Sequence, residues 1–226
     1  MYKHMHGAEK SADYLSTDEW IKRDWPKIIA EYSPEDTYNA DETGLYYCAM
    51  PEHTDLFKKG SAEGFKSLKE RVTVLCCANV KGEKRDLLVI GKSKNPRCFK
   101  GVRSLPVDYY SNAKAWMTSV IFNNWLVKWG LELKRKIVLL VDNCTAHTNK
   151  SLLKNIKVIF LPVNTTSLIQ PCDRGIIIAF KAHYHREMRA QIVAELDNIQ
   201  DQSDARPAAK KISLLDVLHL VAMSWM

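Results

Sequence analysis

Lys136-Ile137-Val138-Leu139-Leu140-Val141-Asp142-Asn143 decides how this chain folds. Five consecutive apolar residues, three of them β-branched, end on an acid. Continuous apolarity, in place of alternation, marks a strand covered on both faces, as in α/β proteins. In such sheets the loops diverge at the carboxyl ends of the strands and leave a crevice there. Asp142 stands at that end. A carboxylate beside so much apolar surface is costly unless something offsets its charge, and a divalent cation does so.

Working outward, Lys157–Pro162 reads as a second buried strand, and Asn149–Asn155 between the two as a short helix. Upstream, apolar residues at 116, 117, 120, 121, 125, 126 and 129 give Ala113–Trp129 helical spacing, with Gly130 as its C-cap and Trp116, Trp125 and Trp129 in the core. Thr37–Asp41, Leu45–Met50, Arg71–Val80 and Asp86–Ile90 are short β-like runs. Lys81-Gly82 is a hairpin turn that pairs the last two antiparallel. Downstream, Asp173–Glu195 and Ser213–Trp225 read as helices, the first with Ile176–Ile178, Phe180 and Tyr184 inward. Residues 1–36 are charged, with Trp20 and Trp25 at helical spacing, and end in a linker at Ser33-Pro34. This order predicts an α/β protein with a mixed sheet, three antiparallel strands plus two parallel, flanked by helices. A ribonuclease H-like fold has that order, as do several other α/β folds.

Two further acids share the position of Asp142. Asp41 closes the Thr37–Asp41 run, although Asp41-Glu42-Thr43-Gly44 also reads as a turn, as Asp142-Asn143 does. Asp173 lies in Gln170-Pro171-Cys172-Asp173-Arg174-Gly175, directly before an apolar helix. Taken alone it reads first as an N-cap.

Composition sets broad bounds. Apolar residues make up 46% and charged residues 26%, ordinary for a soluble globular chain. No run is long enough to span a membrane, and the polar first thirty residues hold no signal-peptide core, so an intracellular setting is expected. The six cysteines contain no Cys-x-x-Cys pair; Cys48, Cys76 and Cys77 sit in apolar runs and read as free buried thiols. The net charge of +7 is a weak pointer to polyanions. Its distribution says more, because residues 81–103 carry eight basic side chains against two acidic ones, and a second basic cluster lies in Lys181–Arg189. His183 and His185 lack partners at zinc-ligand spacing and read as surface residues.

Three blocks make the sequence recognisable: Asn39-Ala40-Asp41-Glu42-Thr43-Gly44, Val141-Asp142-Asn143-Cys144-Thr145-Ala146-His147 and Gln170-Pro171-Cys172-Asp173-Arg174-Gly175. In order and interval they resemble the signature blocks of pogo/Tigger-type transposases of the mariner-type superfamily, a group with domesticated relatives similar to jerky and centromere protein B. Lys69–Leu75, Val89–Phe99 and Phe160–Ser167 look like the same family. Thr145, Val163, Cys172 and Arg174 depart from its usual residues, and none of them replaces an acid. The resemblance implies a ribonuclease H-like core over 37–200, preceded by the 1–36 helical segment and followed by a C-terminal helical extension at 201–226 that reads as truncated. The family's N-terminal helix-turn-helix domains have no counterpart here. It implies an Asp41, Asp142, Asp173 triad, whose carboxylate oxygens select two Mg²⁺ or Mn²⁺ ions. Asn143 and His147, one and five positions after Asp142, read either as supports of that site or as a turn residue and a histidine near a helix start. The resemblance also implies DNA as partner, a homodimer, no membrane and a nuclear location. Lys92, Lys94, Arg97, Lys100 and Arg103 are then expected to contact DNA phosphates. The expected reaction is metal-dependent phosphodiester cleavage and strand transfer at transposon ends. The rival expectation is a domesticated DNA-binding or chromatin protein that keeps the fold without catalysis.

Overall fold

A computed structural model describes residues 13–47, 70–148, 153–197 and 212–225. Two helices lead in, α1 (Tyr14–Arg23) and α2 (Trp25–Glu31). Asp13 caps α1 by accepting from the Ser16 N–H at 2.9 Å, and Pro26 in the first turn of α2 needs no helical donor. The strands are β1 (Thr37–Tyr46), β2 (Arg71–Asn79), β3 (Leu88–Gly91) and β4 (Asp108–Ser111). Helix α3 (Ser119–Glu132) leads to β5 (Ile137–Val141) and β6 (Ile156–Phe160). The short α4 (Thr166–Ile169), a π-helical turn (Cys172–Ile176), α5 (Ile177–Asp197) and α6 (Leu214–Trp225) follow.

The strands form one sheet in the order β4-β3-β2-β1-β5-β6. β2 lies between β1 and β3 and is antiparallel to both, and β5 and β6 run parallel to β1. This is the expected ribonuclease H-like arrangement, three antiparallel strands joined to two parallel ones and flanked by helices. One strand exceeds the expectation: β4 adds to the outer edge, parallel to β3. Its Asp-Tyr-Tyr-Ser sequence carries no apolar run, which an edge strand does not require.

Alternation along the strands sorts the side chains into two faces. Tyr38, Ala40, Leu75, Cys77, Leu88, Ile90, Ile137, Leu139 and Val141 pack under α3 with Phe122, Trp125 and Trp129. Leu45, Val72, Val74, Cys76 and Val89 face α5 and α6, meeting Phe180, Tyr184 and Trp225. Val138 and Leu140 continue that second face toward Trp20 and Ile28 of the leading helices.

Four local expectations are corrected. β1 does not stop at Asp41. It continues to Tyr46 because β2 pairs with it throughout, Glu42 with Leu75 and Thr43 with Val74, so Asp41-Glu42-Thr43-Gly44 is strand and not turn. α3 begins at Ser119, capped by the Thr118 hydroxyl, and Gly130 lies inside its last turn, where Leu133 is the C-cap. Trp116 is consequently outside the helix and 58% exposed, whereas Trp125 and Trp129 are buried as expected. Residues 153–155 are not helical, with a 3₁₀ turn at Thr145–His147 instead; 149–152 lie outside the described residues, as do Cys48–Met50 of the expected Leu45–Met50 strand. Among the described residues the cysteines are free, with Cys76, Cys77 and Cys172 buried and Cys144 exposed; Cys48 lies outside them.

Gly91 is where β3 and β4 come closest. A Cβ there would lie 2.2 Å from the Tyr109 hydroxyl, which itself donates to the Ser93 carbonyl at 2.7 Å. The Tyr109 ring is held edge-on by Phe99, so it has little room to retreat. Gly91→Ala is expected to cost roughly 1–3 kcal/mol by overpacking. Urea melts check this, and Tyr109→Phe in the same chain should restore part of the loss.

Candidate active site

Asp41 and Asp142 reach one place because of strand register. β1 and β5 pair Thr37 with Val138 and Asn39 with Leu140, so two residues further on Asp41 is level with Asp142. Parallel neighbours lie about 4.8 Å apart, and level residues share a face. Asp173 arrives from the other side, in the π-helical turn before α5. It is not an N-cap: Pro171 holds that place and no side chain caps the turn. Single π turns are frequent at functional sites.

One buried amide ties the three acid-bearing elements together. Asn39 Nδ2 donates to the Leu140 carbonyl at 3.0 Å, and its Oδ1 accepts from the Cys172 N–H at 2.8 Å. Gln170 Nε2 adds a longer bond to the Ala40 carbonyl, 3.4 Å. The sequence reading missed Asn39. Its signal was period two: it shares the face of Asp41, two residues away.

The electrostatics record the convergence. Burial, then the charges of Glu42, Asp142 and Asp173, push the Asp41 carboxyl up to about 8 against one stabilising bond from the Glu42 N–H.

His147 is built into the opposite face. It is 1% exposed, stacks 4.6 Å from Phe122, and its Nε2 lies 2.8 and 3.0 Å from the two Glu42 oxygens. Its Nδ1 is in ion-pair contact with Asp142 Oδ1. Burial alone would lower its pKa, but the bonds to Asp142 and Glu42 raise it to about 10, so it is an imidazolium between two acids. Glu42 was also missed; alternation turns it away from Asp41, and its partner is 105 residues distant. Asp142 Oδ1 is buried against the His147 ring. Asn143 is exposed beside Asp142. Among the described residues, no group of three or more His, Cys, Asp or Glu side chains is gathered closely enough to hold a metal ion. The three acids share one region without closing into a cage.

Lys92, Lys94, Arg97, Lys100 and Arg103 are all exposed on the segment between β3 and β4. Among the expected surface histidines, His185 is half-buried, and burial together with the Arg189 and Lys181 charges lowers its pKa.

The sequence profile of the DDE superfamily endonucleases matches residues 69–226. The chain belongs to that family. This DDE-family chain is 33% identical over 210 residues to mouse Tigger transposable element-derived protein 4, covering 91% of this chain and 39% of that protein. It is 36% identical over 200 residues to the human Jerky protein homolog, covering 77% of this chain and 35% of that protein. It therefore spans well under half the length of these relatives. Among solved structures, the Mos1 strand transfer complex overlaps it at a TM-score of 0.48 and 12% identity, covering 100% of this chain and 65% of that one. No helix among the described residues is long and apolar enough to cross a membrane.

Proposed function

We propose that this chain is the catalytic core, centred on residues 37–200, of a nuclear transposase-type endonuclease that cuts DNA and joins the freed end to a target. Asp41, Asp142 and Asp173 carry the chemistry. The observation that supports this is the β1–β5 register that sets the half-buried Asp41 level with Asp142, with the Asp142 and Asp173 charges both acting on it.

The donor set fits a hard divalent cation. Asp41, Asp142 and Asp173 offer carboxylate oxygens, the donor type that hard cations take, and burial and neighbouring carboxylates raise the Asp41 pKa. Asp41, Asp142 and Asp173 would hold Mg²⁺ or Mn²⁺, which supplies Lewis-acid activation of the attacking oxygen and the scissile phosphate. Asn39 holds the three elements in register. Glu42 and His147 fix the direction of Asp142, as outer partners of liganding carboxylates do. Lys92, Lys94, Arg97, Lys100 and Arg103 offer charge to the DNA backbone without reading sequence.

The test is nicking of transposon-end DNA by this chain with Mn²⁺ or Mg²⁺. Metal-dependent nicks that vanish in Asp142→Asn are expected. Nicks that survive Asp142→Asn overturn the reading, and DNA binding with no nicking in either metal favours the non-catalytic, chromatin-type alternative.

A further inference from the structure

Trp116 is a large aromatic ring that the fold holds out of the core. It is 58% exposed, yet its backbone is fixed on both sides. Asn112 Nδ2 donates to the Trp116 carbonyl at 2.7 Å. Asn112 Oδ1 accepts from the Lys114 N–H at 3.1 Å and the Trp116 N–H at 3.3 Å. The intervening Ala115 is buried and adopts φ +49°, a region that non-glycine residues rarely occupy and that a fold must enforce. Its carbonyl accepts from the Thr73 hydroxyl at 2.6 Å and from Arg71 at 3.4 Å. The Arg71 guanidinium, which also donates to the Lys114 carbonyl at 3.2 Å, lies 4.4 Å from the indole centroid. One indole face is backed by a planar cation, and the exposed surface is left to solvent.

The rim around this ring is basic. The β2–β3 register pairs Thr73 with Ile90, which sets Lys92 level with Arg71. The Asn112 N–H donates to the Gly91 carbonyl at 3.1 Å, bringing the Trp116 loop to the same level. Lys92, Lys94 and Lys114 are exposed there. Arg71 is five residues along β2 from Cys76, the strand partner of Asp41. That is about 17 Å along the strand, and alternation sets Arg71 on the α3 face, opposite the face of Cys76 and Asp41. A cationic groove interleaved with an aromatic ring is how proteins take unpaired nucleic acid, since every base has a π-face to stack.

We propose that Trp116, backed by Arg71, is a stacking platform for an unpaired DNA base, with Lys92, Lys94 and Lys114 holding the neighbouring phosphates. The inference rests on DNA being the substrate. A duplex with both ends closed by hairpins offers no free base, whereas the same duplex with a single-stranded tail does.

Fluorescence anisotropy of the full chain with these two labelled DNAs tests it. Wild type should bind the tailed DNA on the order of tenfold more tightly than the closed one. Trp116→Ala should lose that preference while binding closed duplex as before, and Trp116→Tyr should keep most of it. A tail of abasic sites should make wild type behave like Trp116→Ala. Equal binding of both DNAs by wild type, a preference that persists in Trp116→Ala, or an abasic tail that binds like the normal one overturns the platform alone. Binding to neither DNA overturns the DNA reading itself. If Trp116→Ala instead abolishes self-association in sedimentation, the ring belongs to an interface between copies and the proposal falls.

Discussion

Asp41→Asn is expected to raise the melting temperature of the metal-free protein above about pH 8 while abolishing metal-dependent nicking. The fold tolerates the acid form of Asp41 and resists the ionised one, because burial and then the charges of Glu42, Asp142 and Asp173 hold its pKa at about 8, far above the usual 3.8. The sign follows from linkage: stability is complete below the ordinary value, and is lost as pH rises through the folded one. A tenfold displacement of a proton equilibrium is worth about 1.4 kcal/mol, so the ionised group costs several kcal/mol at the alkaline end. Asparagine keeps the oxygen that accepts from the Glu42 N–H and never ionises. Thermal melts across pH check the gain, and parallel nicking assays check the loss. Identical melts of both proteins above about pH 8 would remove the electrostatic account of the cluster.

The opposite sign applies to His147. His147→Ala leaves Glu42 and Asp142 without the cation between them, in a place where the histidine is 1% exposed. Removing one partner of a buried ion pair costs roughly 3–5 kcal/mol, much of it from the uncompensated charge left behind. His147 has a raised pKa, about 10 against 6.5. Its contribution is therefore full below about 6.5 and fades as pH rises through about 10. Urea melts should show the variant's deficit larger near pH 6.5 than at alkaline pH, where it shrinks toward the cost of the lost packing against Phe122. A deficit independent of pH would mean that His147 serves only as a packed ring. Glu42→Gln should lose part of the same pH dependence, since it removes one of the two charges.

What could be read in advance divides by the range of the interaction that decides it. The run Ile137–Val141 announced a covered strand, and Asp142 at its end needed no tertiary knowledge, because continuous apolarity is local. Asp41 was placed correctly on β1, yet the strand was cut short. Asp-Glu-Thr-Gly is turn chemistry until β2, more than thirty residues on, supplies its ladder. β4 was invisible because an edge strand need not be apolar. Trp116 misled because it continues the helical spacing of α3. The Asn112 side chain and the left-handed backbone at Ala115 end that periodicity, and neither has a sequence signature. Glu42 and Asn39 act through residues about a hundred positions away, so their partners could be found only in space.

The level placement of Asp41 and Asp142 makes the hydrogen-bond ladder between β1 and β5 into a gauge. Their separation is inherited from a backbone repeat common to all sheets and owes nothing to the size or rotamer of any packed neighbour. Substitutions can rework the helices on either flank, even heavily, and leave that interval intact. Asp173, mounted on a helical turn and tied to the sheet through the Asn39 and Gln170 amides, has a setting that the outer layers can adjust.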